Sequence, residues 1–193
     1  EDGVQRYFSS RAARIGKSPV LAFDSTTIST YSENQSEARR GFNKDGDGLN
    51  TIKLLTLYSV KSREPLAFAK QPGNIPDVIS IESTLEQLKC LGLENPLIVT
   101  DNGCYSQKNM MEFALRNVKF LTLVDPDVVW VRETVDALRG TLAGMSSTCP
   151  FDPSVCGATA FRMHEFSRVR QRSRNGKVAG ENETFSRRLT SMS

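Results

Sequence analysis

Histidine is almost missing from this chain: His164 is the only one in 193 residues. A Ser-His-Asp triad, a histidine-based zinc site and an HExxH metalloprotease helix are therefore poorly supplied. Cysteine is scarce as well. Cys90, Cys104, Cys149 and Cys156 are too few and too scattered for a disulfide scaffold, which points to a reducing, cytosolic setting. Cys149 and Cys156 bound the stretch CPFDPSVC, which lacks the short spacing of a zinc pair. No apolar run approaches the roughly 20 residues needed to span a bilayer, and no signal-peptide pattern opens the chain. Internal repeats are absent, and no strand end carries the GxGxxG of a dinucleotide fold. What remains for catalysis is carboxylates and hydroxyls. The chain opens on Glu1, and EDGVQRYFSSR reads as the middle of a longer protein.

At 38% hydrophobic residues, the chain can bury one good core and a small second unit. Its net charge of +3 is unevenly spread. From Ala160 onward there are eight Arg or Lys against three Glu, while the first 159 residues hold 17 basic and 19 acidic side chains. A basic tail on a near-neutral body suits a polyanion partner, and it equally suits a solvated or disordered tail.

Apolar patterning predicts a buried strand at 19–24 (PVLAFD), then a polar loop over 25–51. A hairpin follows, with strands at 52–60 and 66–70. Ile81, Leu85, Leu88 and Leu91 predict a helix over 77–91, with Asp77 as its cap and Gly92 at its end. PLIVTD (96–101) is a second short strand, 106–117 a helix with Met110, Phe113 and Ala114 on one face, and 118–124 a third strand. A further helix is expected over 128–140, and beyond 141 apolar periodicity fades. This order predicts an α/β layer arrangement, a mixed sheet with helices packed on it.

Asp24 and Asp101 both stand at the ends of these apolar strands. If the strands are parallel neighbours, the carboxylates converge at one end of the sheet, where open α/β sheets place their sites. Two such charges repel unless a cation neutralises them, and Mg²⁺ or Mn²⁺ prefers oxygen ligands. The competing reading is local: Asp-Asn-Gly is also a turn sequence, and Asp24 could bond the amides of Ser25-Thr26-Thr27. The stretch from Asn43 to Gly48 imitates an EF-hand loop, but the twelfth position, which should be a bidentate glutamate, is Leu54.

FDSTTIS, GFNKDGDG, PLAFAKQPGN followed by Asp77, and IVTDNGCYSQKN occur in this order. Together they resemble the catalytic domain of DDE-class insertion-sequence transposases, from about Val20 to at least Val124. The resemblance implies a ribonuclease-H-like mixed sheet flanked by helices, incomplete at its C-terminus. It implies Asp24 and Asp101 as catalytic metal ligands, with Thr26, Lys44, Asn102 and Gly103 in support. Lys44 and Asp45 match the family's Gly-aromatic-Ser-Lys-Asp stretch, with Phe42 as the aromatic and Asn43 in place of the serine. Pro72, Gly73 and Asn74 match its Pro-Gly-Asn turn. Gly103 is expected to let the backbone turn away tightly after Asp101.

The implied cofactor is Mg²⁺ or Mn²⁺ in a two-ion site. The implied chemistry is nicking of a transposon end and attack of the freed 3′-hydroxyl on target DNA. The implied partners are double-stranded DNA and a second copy of the chain as a homodimer, with no membrane, in a prokaryotic cytoplasm beside the nucleoid. Arg168, Arg170, Arg172 and Arg174 are the candidate DNA contacts.

The pattern then breaks. The family's third carboxylate is a late glutamate among Tyr, Arg and Lys, and no tyrosine follows Tyr105 here. The chain is accordingly expected to be inactive alone. It divides into a lead-in from a missing upstream region (1–18), a partial catalytic core (19–125), and the start of an insertion region with a basic tail (126–193). Two other readings remain, a metal-dependent nuclease on the same fold and a non-catalytic DNA-binding or inhibitory relic.

Overall fold

The structure is a computed structural model. It describes residues 2–192 apart from 17, 33, 44–45, 94, 143, 145–146 and 175–176, and for residues 2, 77–78 and 166–192 it describes the backbone alone. The chain divides into two compact units, Glu1–Leu123 and Val124–Ser193.

In the first unit, helix α1 (Asp2–Ile15) precedes β1 (Val20–Thr30), β2 (Asn50–Ser59) and β3 (Glu64–Pro72). Helix α2 (Asp77–Cys90), β4 (Leu97–Thr100), α3 (Gln107–Leu115) and β5 (Lys119–Thr122) follow. The five strands form one sheet in the order β3-β2-β1-β4-β5. β1, β2 and β3 are antiparallel neighbours, while β1, β4 and β5 run parallel. This is the mixed sheet flanked by helices that the sequence predicts.

Two local expectations are corrected. β1 does not stop at Asp24 but runs on to Thr30, paired with β2 down to Thr30↔Asn50. The run Ser25–Thr30 is polar yet rich in β-branched residues, which favour a pleated, half-buried strand. At α2, Pro76 and not Asp77 occupies the cap position, in extended conformation and with no side-chain cap bond. The segment expected only as a lead-in forms α1. Its buried Phe8 meets Phe68 of β3 edge-on, with ring centroids 5.1 Å apart.

Strand alternation gives the sheet two unlike faces. Leu21, Phe23, Leu55, Leu57, Ala67 and Ile98 lie on one face and are all buried. Ile81, Leu85 and Leu88 of α2 are buried too, as are Met110 and Phe113 of α3, and the Phe113 ring stacks on Phe120 of β5 at 4.8 Å. Gln71 bonds Ser80 and Ser83 of α2 from the same face. The opposite face carries Val20, Ala22, Asp24, Thr26 and Ile28; Phe8 of α1 packs on it at Phe68 of β3, while along β1 it stays open, with Val20 38% and Ile28 50% exposed.

The second unit holds α4 (Val129–Leu142), a short pair β6 (Thr148–Cys149) and β7 (Asp152–Cys156), and a long antiparallel ribbon. The ribbon strands are β8 (Thr159–Arg174) and β9 (Lys177–Met192), in register from Thr159↔Met192 to Arg174↔Lys177. Here the chain forms a regular ribbon where the sequence showed only a basic tail. Among the described residues, no helix is long and apolar enough to cross a membrane.

Candidate active site

β1 and β4 pair in parallel as Val20↔Leu97, Leu21↔Ile98 and Ala22↔Val99. Two residues beyond the last pair, at the same offset, come Asp24 and Asp101. Neighbouring strands lie about 4.8 Å apart. Positions at equal offset on adjacent parallel strands fall on the same side of the sheet, so Asp24 and Asp101 both stand at this end of its less covered face. Both residues are exposed. Asp24 Oδ1 accepts a hydrogen bond from the Ser25 amide at 2.8 Å, the local bond that the turn reading anticipates. Asp101 stands at the cap position of a 3-10 turn (Asn102–Cys104), but its side chain makes no cap bond. Among the described residues neither carboxylate is in an ion pair. Their oxygens suit a hard divalent cation.

The turn after Asp101 is held at several points. The Tyr105 amide bonds the Asn102 carbonyl at 3.1 Å. The buried Asn109 side chain donates to the Cys104 carbonyl at 2.8 Å, and Ser106 Oγ accepts from the Asn109 amide at 3.1 Å to cap α3. Thr122 Oγ1 lies 3.1 Å from the main-chain oxygen of Asp101. Gly103 sits exposed within the 3-10 turn. The left-handed glycines described are Gly16, Gly46, Gly48 and Gly92. The chain therefore leaves Asp101 by 3-10 hydrogen bonding and not by a left-handed glycine.

Of the other candidates, Thr26 lies two residues beyond Asp24 on the same open face, and Asn102 is exposed in the turn. Lys44 falls outside the described residues, as does Asp45. Asn43 is anchored: Ser29 Oγ donates to its Oδ1 at 3.3 Å, and its own amide donates to Asp47 Oδ1. The Leu49 amide, bonded to Asp47 Oδ1 at 2.9 Å, is the main cause that holds that carboxyl below its ordinary range. In this EF-hand lookalike, Asp47 is engaged within its own loop. His164, in the second unit, meets Trp130 edge-on at 5.2 Å. Burial first, then the charge of Arg162, keep its imidazole below the usual value. Arg168, Arg170, Arg172 and Arg174 occupy alternate positions of β8 and so share one face of the ribbon. Among the described residues, no three His, Cys, Asp or Glu side chains gather where they could hold a metal.

Asn109 and Thr122 escaped the sequence reading. Asn109 could have been found, since it lies four residues before Phe113 on the buried stripe of α3, where a polar side chain needs a partner. Thr122 alternates with Phe120 on β5, and so falls on the covered face.

The sequence profile of the transposase DDE domain family matches residues 15–187. No curated protein matches the sequence. Similar solved structures include the HTLV-2 integrase catalytic core domain in complex with magnesium, at 15% identity over 65% of this chain and 69% of that one, TM-score 0.39. The piggyBac transposase synaptic complex with hairpin DNA aligns at 11% identity over 80% and 31% of the two chains, TM-score 0.47. For the Drosophila P element transposase strand transfer complex the figures are 18% identity, 92% and 35%, and a TM-score of 0.34. The chain thus spans about a third of the length of these two transposases.

Proposed function

This chain belongs to the transposase DDE domain family, and from that premise we propose that it carries part of the active site for DNA transposition by metal-dependent phosphoryl transfer. The observation that carries this reading is the parallel register of β1 and β4, which leads to Asp24 and Asp101 at matching positions on the open face. The two carboxylates would hold Mg²⁺ or Mn²⁺, which when bound supplies activation of the attacking oxygen and stabilisation of the leaving one. Thr26, on the same face, and Asn102, in the turn, offer hydroxyl and amide groups beside the reacting phosphate. The protein's own part is positioning and electrostatics, as in other phosphoryl transfers. Titration of the ¹⁵N-labelled chain with Mn²⁺ tests this. Broadening centred on both aspartates is expected, and broadening that avoids either one would overturn it.

We also propose that the chain does not join strands by itself. Its support is in the sequence, where the Tyr-, Arg- and Lys-bearing motif around the third carboxylate has no counterpart after Tyr105. Incubation with a labelled transposon end and target DNA in Mg²⁺ should give no joined product. A joined product would show that another carboxylate completes the site.

The proposed partner is double-stranded DNA, gripped in part by β8. Along one strand, alternate residues are about 6.8 Å apart, so the four arginines make a regular row of positive charge. Arg168 lies opposite Glu183 and Arg170 opposite Glu181, whereas Arg174 lies opposite Lys177. Like charges directly opposite destabilise a ladder, and phosphates would relieve this pair. Each phosphate contact contributes roughly 0.9 to the slope of log affinity against log salt. Changing Arg172 and Arg174 together to glutamine should therefore flatten that slope by roughly 2. An unchanged slope would remove the ribbon's far end from the interface.

A further inference from the structure

The main-chain ladder between β4 and β5 ends at the pair Thr100↔Thr122. Asp101 is the next residue, and its main-chain oxygen lies beyond the last paired position. At that point a side chain takes over from the ladder. Thr100, almost fully buried, donates from its Oγ1 to Thr122 Oγ1 at 2.8 Å. Thr122 Oγ1 in turn lies 3.1 Å from the Asp101 main-chain oxygen and 3.1 Å from that of Leu123. A hydroxyl has one proton to give. Because the Thr100 proton already occupies one lone pair of the Thr122 oxygen, the Thr122 proton is directed toward these two carbonyls.

These contacts lie on the covered face, where Thr100 and Thr122 alternate in step with Ile98 and Phe120. The Asp101 position belongs to the open face. Fixing the Asp101 carbonyl from behind fixes the peptide plane that follows it. This restricts the direction in which its Cα–Cβ bond leaves the sheet.

We infer that Thr122 is a positioning residue for the Asp101 carboxylate, with Thr100 orienting its hydroxyl. The inference rests on the reading of Asp24 and Asp101 as a cation site. Thr122 touches neither the cation nor DNA in this scheme. Its effect passes through the main chain of Asp101, as second-layer partners of metal ligands commonly act.

The test uses the whole chain and Mn²⁺ as the probe, with line broadening around Asp24 and Asp101 giving an apparent affinity. Thr122→Val should weaken that affinity about tenfold, the low end for loss of an outer partner. Thr122→Ser restores the hydroxyl and should bind within about twofold of the parent. The double change Thr100→Val and Thr122→Val removes both hydroxyls while keeping shape, so no buried donor is left without an acceptor. It should fold as well as the parent and still bind about tenfold more weakly. In the metal-free chain, the amide signals of Asn102 to Tyr105 should shift in the valine variants and return in the serine variant.

Parent-like affinity in both valine variants, with broadening still centred on the two aspartates, would overturn the positioning role and leave the cation site intact. No broadening near the aspartates in the parent chain would instead overturn the cation site, and this inference with it.

Discussion

Asp101→Ala is expected to weaken Mn²⁺ binding by at least about 100-fold, beyond the range for outer partners of a metal site, and Asp24→Ala to do the same. The reason is cooperative. Asp24 and Asp101 follow the last β1–β4 pair at equal height, and in the proposed site two neighbouring anions repel until a cation lies between them. A shared cation relieves that repulsion and gains both sets of oxygen ligands. One carboxylate alone offers an ordinary surface site, of the kind any exposed aspartate provides. The signature is therefore reciprocal: Asp101→Ala should also abolish broadening around Asp24, and the converse. Asp47→Ala is the control, because that carboxylate is already engaged by the Leu49 amide and by Asn43. It should leave the affinity unchanged. If either of these two variants alone kept the parent affinity, the two aspartates would not form one site.

Much of this arrangement is legible in the sequence because it is written in apolar spacing. Ile81, Leu85, Leu88 and Leu91 are all buried, and α2 lies where their period predicts. The succession of elements from β1 to β5 followed from the alternation of short apolar runs with helical stretches. What escaped notice lacks an apolar period. Ser25 to Thr30 is mostly polar, and its β-branched residues become strand in pairing with β2. The ribbon β8–β9 does carry a period of two, but in charge: Arg162, Arg168, Arg170, Arg172 and Arg174 all fall on even positions. α1 is a polar helix whose buried contacts reduce to Phe8 and Ala12, too few to stand out from its flanks. The aspartates themselves could be named as a pair only if two strands proved to be parallel neighbours. That depends on register, which no local stretch of sequence contains.

The resemblance singled out two glycine-bearing stretches without saying why they belong together. In the fold they touch. A β-carbon on Gly41 would lie 2.0 Å from the Gly73 carbonyl oxygen, and one on Gly73 would lie 2.1 Å from the carbonyl oxygen of Thr51. Both obstacles are backbone atoms and cannot rotate away. The layers are also tied to one another. Thr51 exchanges main-chain hydrogen bonds with Arg39 at 2.9 and 3.1 Å, and the Gly73 amide bonds the Glu37 carbonyl at 3.3 Å. Three segments thus stack backbone on backbone, and they fix where the excursion between β1 and β2 rejoins the sheet.

Gly73→Ala should accordingly destabilise the first unit by about 3 kcal/mol or more, at or above the upper end for overpacking. Urea unfolding followed through β2 amide signals measures this as a lower midpoint at unchanged slope. Gly41→Ala should cost a similar amount. Because both methyl groups force apart the same stack, the double variant should lose less than the two single losses combined. A Gly73→Ala chain within about 0.5 kcal/mol of the parent, the scatter of an ordinary surface change, would mean that these layers can separate freely. Strict additivity would mean that each glycine serves a contact of its own, and that the two stretches meet without depending on each other.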